Sequence, residues 1–267
     1  MAEKLTIDSL IQDLQGLSAS VDIGKFSFKE LSVKQQRRVY ISNASTFEIP
    51  AKLSNIYNQY IDESVQATDD VARLGSYITV EQRPFFLIVL RAISMGNTYV
   101  DKEGKEYSIY QPTPEDFEPH THPTTIKRGS ATIHLRVPTL DVDKMYNAQL
   151  INALSPYRKK NPENMMEGDI TAISDLYQVY EVLKYIEKID FNGKEYIFDA
   201  LPVSDKMRVL DAFPESIQKE ISDYIIKVNQ SDKKAFAVTS LETGEVVELD
   251  APRLFVSRTK NSLDLEE

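Results

Sequence analysis

The sequence predicts an α+β fold, predominantly helical, in which a helical core holds a β/loop insert near the middle and a β-hairpin follows at the C-terminal end. Three observations predict it. Apolar residues recur at helical spacing over residues 50–96 and again over 141–228. Between residues 97 and 138 that period gives way to glycine turns, prolines and alternation. Residues 235–240 and 245–249 flank Glu242-Thr243-Gly244, as the two arms of a hairpin flank their turn. The chain therefore divides into an N-terminal arm (1–24), a helical part (25–98), the β/loop insert (99–140), a second helical part packed on the first (141–230) and a C-terminal hairpin with an acidic tail (231–267).

In the arm, Leu5, Ile7, Leu10, Ile11 and Leu14 form a partial helical stripe that Gly16, Ser18, Ala19 and Ser20 interrupt. So short a helix is marginal alone in water and must dock on something. Phe26-Ser27-Phe28 reads as a short strand, and Ser32 with Gln35 has capping-box spacing for a helix. Pro50 opens the next helix, whose face is Leu53, Ile56, Tyr57, Tyr60, Ile61 and Val65. A third helix begins near Thr79, is apolar nearly all round from Phe85 to Leu90, and stops at Gly96. It should be the central buried one.

Asp101-Lys102-Glu103-Gly104-Lys105 reads as a hairpin tip within the insert. Along residues 131–137, Ala131, Ile133, Leu135 and Val137 share one face of a strand, while Thr132, His134 and Arg136 share the other. Helical spacing returns over 141–154 and 169–189, the latter through Ile173, Leu176, Tyr177, Tyr180, Leu183 and Ile186. Asn192-Gly193 is a tight-turn signal joining 189–191 to 196–198. Ser204 opens one more helix and Pro214 another, to about residue 228.

The chain of 267 residues is 42% hydrophobic and 27% charged, as an ordinary packed protein is. Its 31 lysines and arginines against 41 aspartates and glutamates give a formal charge of −10, which repels nucleic acid phosphates, and no basic cluster offsets it. Cysteine is absent, which removes disulfides, thiolate metal sites and cysteine nucleophiles together. No signal peptide is expected at the N-terminus, and the apolar run 84–90 falls far short of the roughly 20 residues of a membrane span.

Motifs for phosphate loops, metalloprotease pairs and nucleophile elbows are missing, so no catalytic residue and no cofactor are expected. The best metal-ligating set is Glu118, His120 and His122 with His134, since imidazoles at i and i+2 of an extended segment can point the same way. Surface or hydrogen-bonding histidines explain the same residues more simply, and no metal is expected. Asp141 and Asp143 stand where a helix starts, so capping accounts for them. Fourteen tyrosines and no tryptophan suit either interfaces or core.

Three stretches resemble the baseplate hub assembly proteins of T-even-like contractile-tailed bacteriophages. The first is Phe26-Ser27-Phe28-Lys29-Glu30-Leu31-Ser32-Val33-Lys34-Gln35-Gln36, similar to that family's opening strand and first helix. The second is Leu90-Arg91-Ala92-Ile93-Ser94-Met95-Gly96-Asn97, similar to the end of its central helix. The third joins Leu135-Arg136-Val137-Pro138-Thr139 to Val209-Leu210-Asp211-Ala212-Phe213-Pro214, and all stand in the family's order over about residues 25–230. Family members often carry cysteine pairs in the insert; this chain has none, so a metal-stabilised knuckle is absent there or replaced by hairpin packing.

The resemblance implies a non-catalytic component of the tail baseplate, hub or hub-proximal, made in the host cytoplasm. Its partners would be other tail or baseplate proteins, with several copies per particle, no nucleic acid and no membrane span. An assembly chaperone that leaves before the virion is complete is the alternative. Leu5, Leu10, Ile11 and Leu14 in the arm, with Phe236 and Phe255 near the other end, are the expected partner-binding residues, because residues 1–20 and 231–256 lack local core of their own.

Overall fold

Phe26 and Phe28 alternate with polar Ser27 and Lys29, and a period of two buries one face of a strand. The computed structural model describes residues 18–41, 47–68, 73–160, 165–249 and 251–255, so Leu5, Leu10, Ile11, Leu14 and the acidic tail lie outside the described residues. Strand β1 (Ser20–Ile23) turns at Gly24, where φ is +56°, into β2 (Phe26–Lys29), and β3 (Val65–Ala67) pairs on the far side of β2. Helix α1 (Val33–Ile41) starts on the expected capping box: Ser32 N–H donates to Gln35 Oε1 at 2.7 Å and Gln35 N–H to Ser32 Oγ at 3.3 Å. Helix α2 (Ile49–Ser64) comes next, with Pro50 in its first turn.

Helix α3 (Arg83–Met95) buries eight consecutive residues, Pro84 to Arg91, and ends at Gly96 with φ +85°. The charge within that run, Arg91, donates to Leu254 O at 3.3 Å, to Thr98 O at 2.9 Å and to Gly96 O, tying the end of the helix both to residues 96–98 and to the C-terminal part of the fold. Around Phe86 the aromatics pack edge to face, with Phe26 4.8 Å and Phe117 4.9 Å away between ring centres.

The remaining elements are β4 (Thr98–Val100), β5 (Glu106–Ile109), β6 (Thr125–Arg128), β7 (Ala131–Leu135), α4 (Leu140–Ala153), α5 (Glu167–Leu183), β8 (Ile186–Phe191), β9 (Lys194–Ile197), α6 (Val203–Asp211), α7 (Glu215–Val228), α8 (Gln230–Ala235), β10 (Ala237–Ser240), β11 (Val246–Glu248) and α9 (Ala251–Phe255). Every strand pairing among the described residues is antiparallel. The sheets run β1-β2-β3, β11-β10-β5-β4 and β6-β7-β8-β9.

This arrangement overturns the expected fold class, a helical core with one β/loop insert and a separate C-terminal hairpin. Eleven strands in three sheets run through the whole described chain. The strands after α3 do not stay together: β4 and β5 join the C-terminal pair β10 and β11, while β6 and β7 join β8 and β9. An isolated two-stranded hairpin is marginal in water, so each hairpin seeks a second, and alternation along a strand does not say which. One expected helix is also shorter. Spacing carried it to residue 189, but α5 stops at Leu183 and Ile186 is buried in β8, because pairing with Leu135 of β7 satisfies the same apolar residue.

Two hydrophobic cores result. The first gathers Phe26, Phe28, Tyr60, Ile61 and the α3 residues under β5, β10 and α9. The second gathers Ile133, Leu135, Tyr146, Leu183, Ile186 and Ile221 between the sheet β6-β7-β8-β9 and helices α4, α5 and α7. Helix α2 serves both, with Tyr57 in the first and Ala51 in the second.

Candidate functional site

Where the two cores meet, α2, α3, α4 and α5 each present polar side chains that a purely apolar seam would not contain. Asp143, in the first turn of α4, is 1% exposed. Its Oδ2 accepts from Ser54 Oγ at 2.8 Å, Asn58 Nδ2 at 2.8 Å, Asn147 Nδ2 at 3.0 Å and Arg83 Nη1 at 2.9 Å, and its Oδ1 accepts from Lys184 Nζ at 3.0 Å. Arg83 also donates to Ser54 Oγ at 2.8 Å and Asn58 Oδ1 at 3.2 Å, and Lys184 pairs with Glu181 at 2.7 Å. A cleft of about 230 Å³ opens beside this cluster, and Asn229 and Asp232 also line it.

Asp143 was expected to cap its helix, yet the cap is Thr139, whose Oγ1 accepts from Val142 N–H, and Asp143 reaches outward to three other helices. Burial alone would raise its pKa. The Lys184 and Arg83 charges, with the Asn58 and Ser54 hydrogen bonds, outweigh that and hold it well below the usual carboxylate range. Burial works against Lys184 too, and Asp143 with Glu181 outweighs it, so the ammonium is held above its ordinary value.

The sign for stability is set by the depressed carboxylate. Its contribution is fully present above an unfolded value of about 3.9 and is lost as pH falls through the lower folded value. We expect the stability gap between wild type and Asp143→Asn, measured by urea unfolding at a series of pH values, to narrow steadily below about pH 4. A gap that stays constant down to pH 2 would contradict this assignment.

A second cluster fixes the sheet β6-β7-β8-β9 to α4. Arg136 grips Asp199 with two hydrogen bonds of 2.6 and 2.7 Å, Tyr146 OH donates to Asp199 Oδ1 at 2.8 Å, and Lys206 Nζ donates to Tyr146 OH at 3.1 Å. Burial pushes Lys206 below its ordinary pKa, as it does for many catalytic lysines. At 1% exposure, however, its ammonium is enclosed by this cluster, 4.9 Å from the Tyr146 ring centre.

The metal candidates separate. His120 Nδ1 and His122 Nε2 lie 3.1 and 2.7 Å from Glu81 Oε1, just ahead of α3. His134 lies instead 2.7 Å from Asp190 on the open face of its sheet, and Glu118 pairs with Lys25 at 3.4 Å. Among the described residues no group of three or more His, Cys, Asp or Glu is placed to hold a metal ion. Phe236 and Phe255 are 7% and 5% exposed and pack in the first core. No helix among the described residues is long and apolar enough to cross a membrane.

Between the sheet β6-β7-β8-β9 and residues 201–217 lies an apolar groove of about 870 Å³. Ile133, Ile189, Phe191 and Tyr196 form its floor, and Val209 and Phe213 its wall. The strand register explains the floor, since Ile133 pairs with Ile189 and Ile189 with Tyr196, which places all three on one face. Neither the junction nor the groove was foreseen from sequence. For the junction a signal existed: Ser54 and Asn58 stand four residues apart on α2, among buried Tyr57, Tyr60 and Ile61, where only polar partners across the seam would tolerate them.

A protein-family model described as T4 bacteriophage base plate protein matches residues 16–249. No curated protein and no solved structure matches the chain.

Proposed function

Given that the chain belongs to the T4 bacteriophage base plate protein family, we propose that this phage baseplate protein is a non-catalytic structural component, hub or hub-proximal, that acts through protein–protein contacts during tail assembly. One observation carries the reading: the family match spans all three sheets, the whole second core and all of the first core except the residues of α9. The matched unit takes in nearly the whole described fold. The chemistry fits, because Asp143 and Lys184 are engaged with each other where the cores meet, and half-buried Asp199 and buried Lys206 are engaged with Arg136 and Tyr146 in the second core. The apolar stripe Leu5, Leu10, Ile11 and Leu14 is proposed as a further grip on a neighbouring protein.

Quantitative mass spectrometry of purified tails tests this. The protein is expected at a fixed copy number in intact tails. Its presence in assembly intermediates combined with absence from finished tails would replace the structural role with that of an assembly chaperone.

A further inference from the structure

We propose that the cleft beside Asp143 is a pocket for an arginine side chain of another baseplate protein, with exposed Asp232 and buried Tyr180 as its receiving groups. The inference rests on the reading that this chain works through protein contacts, and it names the chemistry of one contact.

Charge supplies the first support. Two cations, Arg83 and Lys184, and three carboxylates, Asp143, Glu181 and Asp232, stand at the cleft. Both cations are engaged: Arg83 with Asp143 at 2.9 Å, and Lys184 with Asp143 at 3.0 Å and with Glu181 at 2.7 Å. Of the five groups, only Asp232 has no ion pair within 4 Å among the described residues, and its carboxylate accepts no hydrogen bond there. Although the residue as a whole is exposed, burial raises its pKa, and the more distant Arg83 and Lys184 do not offset that. The cleft is therefore one positive charge short, and an anion entering it would meet an excess of carboxylates.

Unused acceptors supply the second. Tyr180 on α5 lines the cleft at 6% exposure, and its hydroxyl makes no hydrogen bond among the described residues, whereas a buried tyrosine hydroxyl normally has one. Asn147 gives its amide nitrogen to Asp143 at 3.0 Å and to Asn55 at 3.3 Å, and its Oδ1 accepts nothing among the described residues. Two neutral acceptors thus accompany the unpaired carboxylate, a set that suits a cation with several N–H donors.

Size and shape select the donor. At about 230 Å³ the cleft is smaller than the roughly 300–1,000 Å³ of small-molecule sites and has room for one side chain. Tyr177 and Tyr180 set two rings in its wall. A guanidinium stacks on aromatic faces, grips a carboxylate with a planar fork and is more weakly hydrated than an ammonium, which favours arginine over lysine. With a formal charge of −10, two copies of this chain repel each other, so the arginine belongs to a different protein.

Chemical-shift mapping on the whole purified protein tests the pocket, with acetyl-arginine amide as the probe and uncharged acetyl-citrulline amide as the control. The arginine probe is expected to bind in the millimolar range and to move the signals of Asp232 and Tyr180, and the control to leave them in place. Tyr180→Phe removes only an unbonded hydroxyl, and Asp232→Asn removes a charge that burial already disfavours. Both variants should keep the wild-type thermal midpoint within a few degrees, with probe affinity about fivefold lower for Tyr180→Phe and about tenfold lower for Asp232→Asn. In phage supplied only with Asp232→Asn, incorporation into baseplates should also fall about tenfold, and a photocrosslinking residue at exposed Lys233 should join another baseplate protein in the wild-type background. Equal shifts from the two probes, unmoved Asp232 and Tyr180 signals, or full affinity in both folded variants would overturn the pocket. Probe binding combined with wild-type incorporation of folded Asp232→Asn, or a crosslink from Lys233 only to a second copy, would overturn the docking of a partner and leave the structural role standing. Absence of the wild-type protein from both tails and intermediates would instead remove the role on which the docking depends.

Discussion

Replacing Asp143 with alanine is expected to lower the free energy of unfolding by about 3–5 kcal/mol, the cost of leaving buried charges without their counter-ion. Lys184, with a side chain 9% exposed, and Arg83, 19% exposed, would lose the carboxylate they share. Urea unfolding followed by circular dichroism measures the loss. Charge pairing makes a further demand: adding Lys184→Met to Asp143→Asn should recover much of the stability, since an apolar chain of similar length then replaces an unpaired cation. Strictly additive losses in the double variant would show that the seam is held by packing and not by this charge cluster.

Phe86→Ala is the second large effect, about 3–5 kcal/mol, through the cavity left among Phe26, Phe28 and Phe117. Phe86→Leu should cost appreciably less, because most of the volume is retained. The pair separates cavity formation from loss of ring geometry, and equal losses for the two variants would assign the stabilisation to the edge-to-face contacts. Thermal unfolding of each purified variant reads the difference directly.

Local structure was largely legible in the amino-acid order. The Ser32–Gln35 capping box, Pro50 at the start of α2, the all-round apolar run of α3 closing on Gly96, and the Asn192-Gly193 turn each depend on a few neighbouring residues, and each is found where the spacing placed it. What the residues could not announce was partnership over distance. Alternation in β4 and β5 says that one face is buried, yet whether β10 or β7 lies alongside is settled only by the shape of the assembled core. The fold class failed on that point, and α5 was read too long for the same reason.

The candidate site divides in the same way. Asp143 was visible as an acidic residue near a helix start, where capping is the cheapest local explanation, and its true partners lie 41, 60, 85 and 89 residues away on other helices. The groove is a property of two surfaces meeting, and neither strand nor helix encodes it alone.

The pairing of Ser108 with Thr239 gives the sheet β11-β10-β5-β4 a temporal meaning. On a translating ribosome β5 is made long before β10, so the nascent chain must hold an open hairpin and a half-covered α3 until β10 and β11 emerge. Contacts so far apart in sequence close late and slowly, which makes the C-terminal strands the lock on the first core. A ribosome that stalls before them would release a protein whose first core lacks Val238 and whose β5 has an unpaired edge, prone to aggregate instead of entering a tail.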